Sequence, residues 1–236
     1  ILDAVSKQFS SGEGAIQFAP EAIARSNADI LINEELRKEF IGIYSEQGKE
    51  EARRWINMNY GPYSEEELDH RMTRYGLNPC GEILGNDFHC NLAEVHLNQI
   101  DPNNFEEQKK AFKAAALSVA CLLNHEFEVE RYRKSREFDP IVGVSFTGLF
   151  DFLVHAFGTP WLKWWEAGRP DTEEGIQFKK EEAKYLDKWR MIVKETVWEY
   201  CDKHKLRRPN RCTTVQPAGT KSLLTGAAPG WHPPKA

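Results

Sequence analysis

"GLNPCGEILGNDFHCNLAE", residues 76–94, governs how the rest of the chain is read. Within it Asn78, Cys80 and Glu82 place an amide, a thiol and a carboxylate at every second position, with Pro79 and Gly81 between them. An extended backbone would send those three side chains to one face, roughly 6 to 7 Å apart, where they could converge on one ligand. Upstream, "YSEEELDHRMTRYG" (63–76) predicts a helix with Ser64 as N-cap, Glu67 completing a capping box and Gly76 placed to end it. Downstream, "AEVHLN" (93–98) alternates, with Ala93, Val95 and Leu97 on one face and Glu94, His96 and Asn98 on the other, as a half-buried strand does. The thiol therefore sits in a helix-to-strand connection.

The same alternation continues outward. "GAIQFA" (14–19) reads as a short strand and residues 21–47 as mostly helical. Asn104 with Glu107 caps a helix whose apolar stripe is Phe112, Ala116, Val119 and Leu123. "IVGVSFTG" (141–148) is a continuous apolar run suited to a buried strand, and "LFDFLVHAF" (149–157) follows as a helix. A long helix is expected from about residue 172 to 205, with Ile176, Ala183, Leu186, Val193, Val197 and Tyr200 on its apolar side, before a further strand at "TTVQ" (213–216). Strands and helices that alternate through connections too long for hairpins indicate an α/β architecture. We expect residues 1–236 to form a single, incomplete domain, because the chain begins at Ile1 without Met and stops at "GWHPPKA".

Composition narrows the function. At 236 residues and 41% apolar the chain can bury a substantial core, and a net charge of −5 gives no electrostatic reason to bind a nucleic-acid polymer. Its longest apolar run, "AAALSVACLL" (114–123), is about half of a membrane span, so no membrane association is expected. Five cysteines, an odd set with no signal peptide, suit a reducing, cytoplasmic setting better than a disulfide scaffold. Cys121, Cys201 and Cys212 read as small buried hydrophobes, Cys121 on the apolar side of its helix.

Cys80 differs. A carboxylate two residues away raises a thiol pKa, which is wrong for a thiolate nucleophile. It is tolerable for a thiol that gains or loses a hydrogen atom while Glu82 handles a proton and Asn78 positions a hydroxyl, an arrangement suited to radical chemistry on a polyol. The competing reading is a non-catalytic, metal-stabilised or interaction fragment in which Cys80, His89, Cys90 and His96 hold zinc. Nine residues separate the two cysteines where zinc sites usually place two to four, which weighs against it.

"QPAGTKS" (216–222) lacks the paired glycines of a Walker loop. It could still capture an anion: Pro217 ends strand pairing, Gly219 admits close approach, Thr220 and Ser222 offer hydroxyls, and a helix starting near Ser222 would aim N–H groups at a phosphate. Lys221 could add charge or face solvent, and taken alone the segment reads as an ordinary strand-to-helix turn. Trp161, Trp164 and Trp165 read as packing, and Asp151 and His155 are assigned no chemistry.

Together these blocks resemble one family. "NPCGEI" is similar to the finger loop of ribonucleotide reductases, "CNLAEVHL" to the segment after it, "VGVSFTGLFDFL" (142–153) to a buried strand and its turn, and "QPAGTKSLLTGAAPGWHPP" (216–234) to the phosphate-binding loop. "GTKSLLTG" and "GWHPP" most resemble the adenosylcobalamin-dependent, class II triphosphate reductases; class I and anaerobic enzymes share the loop but use another radical source. The resemblance implies part of a ten-stranded α/β barrel with a central finger loop (76–90) and a phosphate loop (216–226). It implies Cys80 as the thiyl site, Glu82 as general base, Asn78 as a substrate hydrogen-bond partner and Cys90 as half of a redox-active disulfide. Pro217, Ala218, Gly219, Thr220, Lys221 and Ser222 would hold the substrate phosphates. A ribonucleotide substrate, a thioredoxin-like reductant and a nucleotide effector are implied partners. The family's partner for Cys90 lies on an earlier strand, yet no cysteine precedes Cys80. This departure is read as truncation, with the expectation that the 236-residue chain alone does not turn over.

Overall fold

In the computed structural model, which describes residues 1–12, 17–89 and 91–234, the parallel strands all fall after residue 90. The chain divides into two units, residues 1–77 with 84–86 and residues 78–83 with 87–236.

The first unit is helical: α1 (Leu2–Ser11), α2 (Ala19–Ser26), α3 (Glu34–Gln47), α4 (Lys49–Tyr60) and α5 (Glu65–Met72), followed by a two-residue-per-strand ladder, β1 (Gly76–Leu77) with β2 (Leu84–Gly85). Ile23, Leu31, Phe40, Ile56, Leu68 and Met72 form its core. Ser64 caps α5 as expected, its Oγ accepting the Glu67 N–H at 3.1 Å. Behind that core Arg71 is nearly fully buried, and it donates to Asn27 Oδ1 at 3.0 Å, Asp29 Oδ2 at 2.7 Å and Glu67 Oε1 at 3.1 Å. A buried guanidinium is tolerable when its charge is paired in this way, although its Nε finds no hydrogen-bond partner among the described residues. Two expectations fail in this unit. Residues 14–16 of the "GAIQFA" strand lie outside the described residues, while Gln17 and Phe18 are irregular and Ala19 opens α2, with Pro20 in its first turn. Gly76 does not end α5, which stops at Met72 where Thr73 turns its hydroxyl back to the Asp69 carbonyl at 2.9 Å; Gly76 pairs with Gly85 instead.

The second unit is α/β. β3 (Asn91–His96), β4 (Ile141–Thr147) and β5 (Arg211–Thr213) form a parallel sheet in the order β3-β4-β5, with Asn91 opposite Val142 and His96 opposite Thr147. Between β3 and β4 run α6 (Phe105–Ala120) and α7 (Glu130–Phe138). Between β4 and β5 run α8 (Leu149–Glu166), kinked at Gly158, and α9 (Glu173–Lys203), and α10 (Gly219–Ser222) follows β5. Asn104 caps α6 through the Glu107 N–H at 3.1 Å, and Phe112, Ala116, Val119 and Leu123 are buried as the stripe requires. β4 is buried nearly throughout, and Trp161 and Trp164 lie in the core. No helix among the described residues is long and apolar enough to cross a membrane.

Three expectations shift here. The last strand is Arg211–Thr213 rather than 213–216: its last residue in register with β4 is Thr213, opposite Val144, and Val215 is exposed. On α9 the buried face passes through Trp189, Ile192, Val193, Val197 and Cys201, whereas Ile176, Ala183 and Leu186 are exposed. Cys121 is exposed, its thiol resting on the Ser118 carbonyl at 3.1 Å. Cys201 and Cys212 are buried, as small apolar cysteines should be.

These two thiols carry a pH signature. Burial pushes Cys201 up to about 11 with Asp202 adding to it, and burial with Cys201 nearby pushes Cys212 up to about 12, from an ordinary 9.0. The folded chain therefore keeps protons that the unfolded chain releases, so stability falls as pH rises from about 9 and the loss is complete only above the folded values. Urea unfolding should show a lower midpoint at pH 10.5 than at pH 8, and Cys201→Ala with Cys212→Ala should flatten the difference; an undiminished slope in that double variant would contradict the assignment.

Candidate active site

Residues 78–83 do not form the extended segment that period-two spacing suggested. The Gly81 N–H donates to the Asn78 carbonyl at 2.9 Å, closing a turn with Pro79 and Cys80 at its centre. Pro79 presets the second position of such a turn, and Gly81 takes the left-handed conformation, φ 77°, that lets the chain leave it. Turn chemistry thus overrides the alternation, and Cys80 stands exposed at the tip.

Asn78 spends one end of its amide on the loop: its Oδ1 accepts the Ile83 N–H at 3.0 Å, and its own N–H donates to the Ile83 carbonyl at 3.3 Å. What it can offer a ligand is its NH₂. Glu82 is half-buried, and its Oε2 is buried without a hydrogen-bond partner among the described residues. An unmatched buried acceptor is costly, and it leaves Glu82 an oxygen to offer a ligand. Cys90 lies outside the described residues.

The Glu82 carbonyl accepts the Thr214 hydroxyl at 3.0 Å, which fastens the thiol turn to the residue following β5. Two residues later the 216–222 loop begins. The Gln216 N–H donates to Ser145 Oγ on β4 at 2.9 Å, and Ala218 is buried. α10 starts at Gly219, not near Ser222, and is a single turn. Ser222 is buried and donates its hydroxyl proton to the Gly219 carbonyl at 2.6 Å, leaving the exposed Thr220 as the loop's available hydroxyl donor. Lys221 does not face solvent alone: its Nζ lies 3.2 Å from Glu94 Oε1 and 2.7 Å from Gln216 Oε1.

The chain beyond the loop is strapped to the end of the sheet. Thr225 meets His96 Nδ1 at 2.7 Å, Asp151 Oδ2 accepts the Ala228 N–H at 2.7 Å, and the Gly148 N–H donates to the Ala228 carbonyl at 2.8 Å. Gly148 has φ 72°, and a Cβ there would lie 3.0 Å from the Asn98 nitrogen and 3.2 Å from Ala227 Cβ, so this crossing needs glycine. A cavity of about 700 Å³ opens beside the strap, lined by Asp151, Gly219, Ser222, Leu223 and His232 among others. The zinc set is not assembled among the described residues: no three of their His, Cys, Asp or Glu side chains are grouped for a metal, and His96 is engaged by Thr225.

No protein-family model matches the chain. It is 31% identical over 163 residues to an adenosylcobalamin-dependent ribonucleoside-triphosphate reductase of Lactobacillus gasseri, a match covering 66% of this chain and 22% of that protein. The chain is homologous to part of this reductase. A reductase of the same description from Levilactobacillus brevis is 28% identical over 190 residues, covering 75% of the chain and 24% of the relative. A crystal structure of a B12-dependent, class II ribonucleotide reductase matches in fold, with TM-score 0.51 and 24% identity over 68% of this chain and 23% of that one. The chain thus spans about a quarter or less of the length of the reductases it matches.

Reading the sequence alone placed Glu94 on the polar face of its strand, gave Gln216 no role of its own and assigned Asp151 no chemistry. The first two belong to the bonds that shape the 216–222 loop and the third to the strap behind it. Glu94 carried no sequence signal, since alternation places it on the solvent face; in the structure its side chain is only 2% exposed, so it needs a partner from elsewhere.

Proposed function

We propose that this chain is the part of a ribonucleotide reductase that carries the radical thiol and the substrate phosphate loop. One observation supports the reading above others: an exposed thiol on a fixed turn, two residues from a carboxylate with an unmatched buried oxygen, is tied through Thr214 to the 216–222 loop. Cys80 as a thiyl radical takes the 3′ hydrogen of the ribose. Glu82 takes the 3′ hydroxyl proton, and the Asn78 NH₂ holds the substrate as the 2′ hydroxyl leaves as water. Cys90 is one half of the dithiol that supplies two electrons, with a thioredoxin-like protein restoring it. Backbone N–H groups of the 216–222 loop and the Thr220 hydroxyl receive the phosphates.

Adenosylcobalamin, the cofactor named for the relatives, would supply the initiating radical when bound. What fits it on this chain is the exposed Cys80 thiol, reachable from outside the turn, and no residue is assigned as its ligand. In this reading β3, β4 and β5 are three strands of a ten-stranded barrel, the protein is cytoplasmic, and a nucleotide effector acts through other parts of the polypeptide. The 236-residue chain alone does not turn over, since Cys90 has no partner cysteine before Cys80.

The test is the full-length polypeptide supplied with adenosylcobalamin, a ribonucleoside triphosphate and a dithiol. Deoxyribonucleotide should accumulate over many turnovers and only with the cofactor. Product formed equally without adenosylcobalamin would point to a different radical source, and none under any condition would end the proposal.

A further inference from the structure

The contacts of the 216–222 loop assign Lys221 a role other than the one its charge suggests. We propose that Lys221 and Glu94 form a clamp that sets the loop's shape, and that Lys221 is a positioning residue and not a phosphate ligand. The proposal rests on reading that loop as a phosphate site.

Glu94 projects from β3, an edge strand, while the loop follows β5 at the other edge, with β4 between them. The Lys221 ammonium reaches Glu94 Oε1 at 3.2 Å and Gln216 Oε1 at 2.7 Å, joining the first residue of the loop to its sixth and both to β3. Glu94's side chain is 2% exposed and its Oε2 is buried without a hydrogen-bond partner; Gln216 is 5% exposed and its Nε2 is likewise unmatched. Among the described residues Lys221 is the one cation paired with this carboxylate. A carboxylate taken out of water is tolerated while it is paired and strongly unfavourable when its partner leaves. Were Lys221 to swing onto a phosphate, Glu94 would be left buried, charged and alone. The ammonium is therefore retained by Glu94, and the anion must be held by the backbone N–H groups and Thr220.

Three variants decide this: Lys221→Met, Glu94→Met and the double substitution. Two readouts apply, hydrogen exchange of amides 216–226 and calorimetric affinity for inorganic tripolyphosphate. Lys221→Met leaves the Glu94 carboxylate buried and unpaired, so loop protection should fall on the order of a hundredfold and tripolyphosphate affinity about tenfold, whereas Glu94→Met leaves a half-exposed ammonium still bonded to Gln216 and should cost less. The double variant replaces the pair by apolar groups of similar length and should bring both readouts back to within about threefold of wild type. Protection restored with affinity still as poor as in Lys221→Met would make Lys221 a ligand and overturn the proposal. Unchanged protection in Lys221→Met would overturn it as well. If wild type fails to bind tripolyphosphate, the phosphate reading falls, while the exchange data still decide whether the clamp exists.

Discussion

Cys80→Ser in the full-length polypeptide should abolish ribonucleotide reduction, with kcat lower by about 10⁴-fold or more, the scale expected when the group that performs the chemical step is removed. An alcohol O–H bond is much stronger than a thiol S–H bond, so a serine at the turn tip could neither be oxidised to a radical by the same source nor return a hydrogen atom to the product. The substitution changes one atom at an exposed position, and the turn is held by Pro79, Gly81 and the Asn78 bonds to Ile83, none of which involves the sulfur. Stability should therefore change by no more than about 0.5 kcal/mol, which separates lost chemistry from lost structure. Cofactor-dependent exchange of tritium into solvent should vanish together with product. Exchange and reduction at wild-type rates in the serine variant would remove Cys80 from the mechanism.

How far the sequence foretold this site depends on the range of the interactions. Ser64, Asn104 and Thr172 were legible as caps or helix starts because a cap is decided within three residues, and each accepts the N–H that the pattern demands. β4 was legible because a continuous apolar run has little choice but burial on both faces. The thiol turn was misjudged in shape, since Asn78, Cys80 and Glu82 alternate on paper while Pro79 and Gly81 dictate a turn. The "TTVQ" strand was placed late because β-branched residues suit any strand, and only the register against β4 reveals where pairing stops. Bonds such as Thr214 to Glu82 and Lys221 to Glu94 join residues 132 and 127 positions apart, and no local pattern encodes them.

The α9 helix gives the sharpest contrast between pattern and structure, and Trp189→Ala tests it. Trp189 is 2% exposed, stacks on Phe112 with ring centroids 5.0 Å apart and planes 18° apart, and meets Phe152 edge-on at 5.2 Å. Its indole N–H donates at 3.0 Å to Gln108 Oε1, and Gln108, fully buried, passes its own protons to the carbonyls of Asp101 at 3.1 Å and Pro102 at 2.9 Å. Removing the ring opens a large cavity, at about 3–5 kcal/mol, and strands the Gln108 acceptor, at about 1–3 kcal/mol more. Since the surroundings can partly collapse and admit water, the expected loss in urea unfolding is about 4–6 kcal/mol. Trp189→Phe keeps most of the ring contact and should cost mainly the hydrogen bond, about 1–3 kcal/mol. Ile176 and Leu186, which helical spacing alone puts on the apolar stripe, are 42% and 39% exposed, so Ile176→Ala should stay within about 1 kcal/mol. An Ile176→Ala loss larger than that of Trp189→Ala would mean that α9 buries the aliphatic stripe after all, turned away from Phe112 and the sheet that carries the loop.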